Sequence, residues 1–145
     1  MRPIVWFRVT AILFLLFAAG HTFGFLTFRP QSEEGRNVWT AMNNVHFSMG
    51  SSTFSYGNFY LGFGLTITVF QLFEAWLSWV LGSMARRGIA EARTIALGLI
   101  ALQIFGLGFS LRYFSVEPAL LSGLTAITLA IAAMSMRRTG VLSAN

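Results

Sequence analysis

Residues 56–79 form an apolar run interrupted by Gly62, Gly64, Gln71 and Glu74, and those exceptions constrain whatever packs around it. The run is long enough to cross a bilayer, which takes about 20 residues at ~1.5 Å each. A carboxylate near the middle of a membrane costs roughly 2.5–3.5 kcal/mol on insertion scales, so Glu74 is expected to face protein or water, not lipid. Three more runs of spanning length lie at about 8–28, 89–113 and 119–136, and the central one extends over about 57–82.

Composition agrees. The 145 residues are 55% hydrophobic and 10% charged, with a mean hydropathy of +0.66, too little polar surface for a soluble domain. The formal charge of +5 is the balance of ten arginines, with no lysine, against five glutamates; the arginines are scattered at segment ends without a basic face, which argues against nucleic acid as a partner. Cysteine is absent, so disulfides, thiolate metal sites and thiol redox chemistry are excluded within this sequence.

The first run carries Arg8 at one end and His21 near the other. Ala18, Ala19 and Gly20 resemble a signal-peptide cleavage site, but Phe23, Phe25, Leu26 and Phe28 continue the apolar run to spanning length, so an uncleaved span is expected. Gly20 and Gly24 make a small-xxx-small pair of the kind that lets backbones approach, and Gly62 and Gly64 are read as packing positions too. Arg29 and Pro30 close the span. In the outer loop, 29–56, Ser32 is placed to cap a short amphipathic helix with Glu33 and Glu34 in its first turn. Val38, Trp39, Met42, Val45 and Met49 then recur near helical spacing until Gly50, Ser51, Ser52 and Thr53 break it.

Seven arginines (2, 8, 86, 87, 93, 137 and 138) fall on one side of this arrangement and three (29, 36 and 112) on the other. The positive-inside rule then puts both termini in the cytoplasm and the long loop outside. The expected fold is all-α, one domain over 1–145: an integral membrane up-down-up-down four-helix bundle with the amphipathic helix in its first outer loop. The expected location is the bacterial cytoplasmic (inner) membrane.

On the third span Ala96, Leu99, Gln103, Gly106 and Ser110 share a stripe, and on the fourth Ser122, Ala126, Leu129 and Ala133 do; both are read as inward faces. The second span offers two faces, one with Asn58, Gly62, Leu65, Thr66 and Val69 and one with Tyr60, Phe63, Ile67, Phe70 and Glu74. Depth sorts the polar residues. Gln71, Glu74 and Gln103 fall near the inner half, and His21, Asn58 and Tyr60 near the outer end; these six are the candidate ligand-binding residues. Glu74 is placed to pair with a snorkelling Arg8 or to act as a protonatable group. His21 could hydrogen-bond Asn58, Tyr60 or a backbone carbonyl. Two histidines on separate segments give no metal-ligand pattern, and no serine has a base beside it, so neither a metal, a cofactor nor a catalytic set is called for.

The run Gly20, His21, Thr22, Phe23, Gly24 and Phe25, with Phe59, Tyr60, Leu61, Gly62, Phe63 and Gly64, resembles a family of small bacterial four-span membrane proteins, the leptospiral LIC-type conserved membrane family. That family has a glycine-histidine-threonine motif and an aspartate-phenylalanine-tyrosine-x-glycine-phenylalanine-glycine motif. The resemblance covers residues 18–65 and implies a four-helix membrane fold without a particular activity. Asn58 stands where the family carries the acid, so a histidine–carboxylate pair of the relatives does not carry over to His21 and Asn58.

The expected function is a non-catalytic accessory or ligand-binding membrane subunit in contact with membrane lipids, which either holds a lipid, a quinone-like molecule or another hydrophobic small molecule or docks on a larger membrane complex; a homo-oligomer is the other expected assembly. The alternatives are a proton-coupled small-molecule transporter acting as a homo-oligomer through Glu74, and a membrane enzyme using His21 on a lipid-soluble substrate.

Overall fold

The computed structural model describes residues 2–136. In chain order these form α1 (Pro3–Thr27), α2 (Glu33–Asn44), β1 (His46–Met49), β2 (Ser52–Ser55), α3 (Tyr56–Arg86), α4 (Glu91–Tyr113) and α5 (Val116–Ser135). Helices α1, α3, α4 and α5 are each long and apolar enough to cross a membrane. Arg137 and Arg138, expected to stop the fourth span, lie outside the described residues, as does the tail after them.

Local chemistry explains the boundaries. Helix α1 opens at Pro3, where a missing N–H costs nothing, so Arg8 sits inside the helix and not at its edge. Helix α3 begins at the capping Ser55, whose Oγ accepts from the Asn58 N–H at 3.1 Å. It ends in a Schellman turn: Gly88 takes φ +74°, its N–H bonds the Ala85 carbonyl, and Ile89 N–H bonds the Met84 carbonyl. Helix α5 starts three residues before the expected 119 and takes Glu117 into a first turn, where an acid suits the dipole.

The outer segment is partly as expected. Ser32 caps α2, its Oγ accepting from Gly35 N–H at 3.0 Å, with Glu33 and Glu34 in the first turn. But the helix stops at Asn44, not at Met49. Residues 46–55 form an antiparallel hairpin with Phe47 opposite Phe54 and Met49 opposite Ser52. Gly50, at φ +60°, and Ser51 make its two-residue turn, glycine supplying the left-handed conformation that a tight hairpin needs. An all-α fold is therefore amended by one small β-hairpin.

The residues group into two compact units. One comprises Ala18–Phe70: the end of α1, all of α2, the hairpin and the start of α3. The other takes the described residues 2–17 and 71–136, and is called the polar-core unit below because its interior carries Thr10, Gln71, Glu74, Ser78, Gln103, Ser110, Ser122, Thr125 and Thr128, all buried.

In the polar-core unit α4 packs along α5. Ala92, Ala96, Leu99, Gln103 and Ser110 are buried on α4, and Ser122, Thr125, Leu129, Ala132 and Ala133 on α5. They include Ala96, Leu99, Gln103 and Ser110, and Ser122, Leu129 and Ala133, of the stripes read from the sequence; Gly106 and Ala126 are only half-buried, and Ala92, Thr125 and Ala132 lie outside those stripes. Without water to expel, close packing and hydrogen bonds hold membrane helices together, and short side chains permit both. Phe7, Phe14, Leu81 and Leu129 fill the remaining space. Of the two faces assigned to the second span, only Glu74 is buried. The stripe runs through Gly64, Gln71, Glu74, Ser78 and Leu81, while Phe63, Ile67, Val69 and Phe70 are exposed.

Candidate functional site

In the Ala18–Phe70 unit, the end of α1, the helix α2 and the first turns of α3 enclose a cavity of about 230 Å³. Its apolar wall is Phe25 and Leu26 from α1, Trp39 and Met42 from α2, and Tyr60 and Leu61 from α3. Arg29, Asn43 and Asn58 bring polar groups to it. The aromatic rings brace one another: Phe25 lies 5.0 Å from Tyr60, and Trp39 meets Tyr60 edge-on at 6.3 Å. Both geometries place a ring edge or an offset face against its neighbour, as the aromatic quadrupole favours.

Two glycines make this closure. A Cβ on Gly57 would fall 2.5 Å from Asn43 Oδ1 and 3.0 Å from Asn43 Cγ. One on Gly64 would overlap the Phe25 ring. Of the four glycines read as packing positions, Gly64 alone is at a close approach; a Cβ on Gly20, Gly24 or Gly62 would meet nothing within 4 Å. Asn43 is fixed from its own helix, donating to the Trp39 carbonyl at 2.8 Å. Arg29 caps the end of α1 by donating to Leu26 and Phe28 carbonyls, at 3.1 and 2.7 Å, with its guanidinium carbon 5.9 Å from the Trp39 ring.

His21 is committed elsewhere. Its Nε2–H donates to the Gly64 carbonyl at 3.0 Å, which fixes the proton on Nε2, and its ring stacks on Phe25 at 5.7 Å. It belongs neither to the cavity wall nor to a cluster of metal-binding side chains, and among the described residues no three histidines or carboxylates gather. Thr22 and Thr68 share a hydrogen bond of 2.8 Å nearby. His46, expected on the loop helix, starts β1 and donates from Nδ1 to the Asn44 carbonyl at 2.9 Å.

No family model, characterised protein or solved structure matches this chain. The site must be argued from its own chemistry.

The remaining sequence candidates sit in the polar-core unit. Gln103 Nε2–H donates to Glu74 Oε1 at 2.9 Å, and Thr125 Oγ1 lies 3.1 Å from Gln103 Oε1 as its donor. Thr125 also approaches the Leu121 and Ser122 carbonyls, so its one proton is shared among three acceptors. Thr10 donates to Thr128 at 2.8 Å, and Thr128 in turn reaches the Thr125 carbonyl at 3.1 Å. The expected Glu74–Arg8 pair is replaced. Arg8 donates to Ser83 Oγ at 3.3 Å and lies flat on Trp79, 3.1 Å from the ring centroid. Ser83 is nine residues beyond Glu74, about 13 Å along α3 at ~1.5 Å per residue.

The six ligand candidates thus divide. Asn58 and Tyr60 line the cavity, His21 holds a backbone carbonyl, and Gln71, Glu74 and Gln103 lie in the polar core. The sequence reading missed Phe25, Arg29, Trp39, Asn43 and Gly57 as lining residues. The available signal was aromatic and amide residues clustered at the membrane-interface ends of two runs and on the facing side of the loop helix.

Proposed function

We propose that this chain is a multi-pass protein of the bacterial cytoplasmic membrane that holds a hydrophobic small molecule, lipid or quinone-like, as a non-catalytic accessory subunit of a larger membrane complex. Its four spans run up, down, up and down with both termini in the cytoplasm, a reading carried by the arginine distribution. The likeness of residues 18–65 to the leptospiral LIC-type family supports kinship with small four-span proteins.

The observation that carries binding is the cavity bounded by Phe25, Trp39 and Tyr60. Ligand sites are concave and mainly apolar with a few placed polar groups, which describes this one. Its volume of about 230 Å³ is below the ~300–1,000 Å³ of sites for whole drug-sized ligands, so it takes a head group or a single ring and leaves any tail outside. Trp39 and Tyr60 offer ring faces and edges, and the Asn43 and Asn58 amides offer both donors and acceptors to a carbonyl or hydroxyl. A flat, oxygen-bearing ring with an apolar tail fits all of these.

Native mass spectrometry of the full-length protein, extracted gently from its own membrane, tests the reading. A defined hydrophobic adduct is expected on the wild type and is lost from Asn58→Trp, whose indole fills the cavity. A wild-type protein carrying only a statistical ladder of bulk phospholipid, unchanged in the variant, would contradict it.

A further inference from the structure

We propose that Glu74 is a proton-exchange site, reached by water through Gln71 and Ser78, independent of the cavity in the Ala18–Phe70 unit. The residues that argue it are neighbours on one face of α3: Gln71 three before Glu74 and Ser78 four after, a row about 10 Å long at ~1.5 Å per residue.

Each member of the row is at least nine-tenths buried, with 6% of Gln71, 8% of Glu74 and none of Ser78 exposed. Gln71 Oε1 and Ser78 Oγ are fully enclosed and, among the described residues, have no hydrogen-bond partner. Buried polar atoms are nearly always satisfied, by protein or by ordered water. Water has the chemistry to serve an amide oxygen and a hydroxyl flanking a carboxyl, and it enters when the close packing around this row opens. The row therefore reads as two stations on either side of one group that can bind a proton.

Glu74 itself is held by neutral groups. Gln103 donates to its Oε1, and Thr125 supports Gln103 in turn. The charged side chains of the packed elements are engaged at other levels of their helices, although Arg8 Nη1 and Arg93 Nε are, among the described residues, also buried without a hydrogen-bond partner. Arg8 on α1 is engaged at the level of Ser83 and Trp79, Arg93 on α4 lies ten residues before Gln103, and Glu117 on α5 lies eight residues before Thr125. Helix packing alone does not call for a carboxylic acid here, because glutamine would accept the same bond from Gln103 at lower desolvation cost. What glutamine cannot do is exchange a proton. The step is simple and balanced: hydronium gives its proton to the Glu74 carboxylate, leaving water and a carboxylic acid, and the reverse returns it.

The test is infrared spectroscopy of the full-length protein in phosphatidylcholine vesicles. The expected result is a carboxylic-acid C=O band that comes and goes reversibly with pH, shifts when water is replaced by deuterium oxide, and is absent from Glu74→Gln. Gln71→Leu and Ser78→Ala, each keeping Glu74, are expected to slow the deuterium shift by on the order of tenfold, because each removes a group that stations water. A Glu74-dependent band that neither titrates nor exchanges would overturn the proposal, as would the absence of any such band at every pH. Exchange at the wild-type rate in both flanking variants would overturn the route through Gln71 and Ser78. Loss of the native mass-spectrometric adduct bears on the cavity alone, so the two readings fail separately.

Discussion

The two units of this chain solve the problem of burying polar groups in opposite ways. In the polar-core unit hydroxyls, amides and a carboxyl are turned inward and joined by side-chain hydrogen bonds, Thr10 to Thr128 and Thr125 through Gln103 to Glu74. In the Ala18–Phe70 unit Ser55 alone is a buried polar residue among those described, and the rings of Phe25, Trp39 and Tyr60 surround open space instead. A hydrogen-bonded chain such as Thr125–Gln103–Glu74 holds helices together; a wall of aromatics with amide groups beside it leaves room for something else. The difference teaches that polar residues sharing one helix can serve different ends, Asn58 lining open space and Glu74 joining a buried hydrogen-bonded interior.

The comparison is broken most severely by removing a ring from the filled interior. Phe14→Ala in the polar-core unit deletes a fully buried side chain and is expected to cost about 3–5 kcal/mol, read as a lower midpoint in detergent-induced unfolding. Gly64→Ala should come next, at about 1–3 kcal/mol, because the new methyl displaces Phe25 from its contacts with His21 and Tyr60. The same change should weaken ligand retention, since Phe25 lines the cavity. Gln103→Leu strips Glu74 Oε1 of its donor and leaves Thr125 one acceptor fewer, which is expected to lower stability by about 1–2 kcal/mol without changing ligand retention. Gly62→Ala should be the mildest, neutral or stabilising by up to ~1 kcal/mol, since alanine favours a helix and meets no neighbour there. Should Gly62→Ala prove as damaging as Gly64→Ala, the face now open would have to be covered by another molecule.

Much of the polar-core unit was legible from residue order. The stripes on α4 and α5 are buried at most of the positions read, Gly106 and Ala126 excepted, because small and hydroxyl-bearing side chains mark contact faces in membranes, and counting residues put Glu74 and Gln103 at a common level. The inward face of α3 was not legible: apolar residues there face lipid as readily as protein, so their periodicity carries no sign. Arg8 was drawn to Trp79 and Ser83, where its stem and planar head both find contacts, and away from the carboxylate that charge alone would choose. The hairpin at 46–55 carried a period-two signal around Gly50 and Ser51, but Val45 and Met49 also fit the helical spacing of Val38 and Met42, and the longer period masked the shorter one. The cavity depends on close contact at Gly57 and Gly64 between segments far apart in sequence, which no local pattern announces.

Photoaffinity labelling addresses the central claim most directly, with a diazirine-bearing quinone analogue added to the full-length protein in vesicles and the products mapped by peptide mass spectrometry. Labels are expected to fall on residues 25–29, 39–43 and 57–61 and to be competed away by unmodified quinone. Labels spread over the exposed faces of α4 and α5, indifferent to competition, would contradict the account.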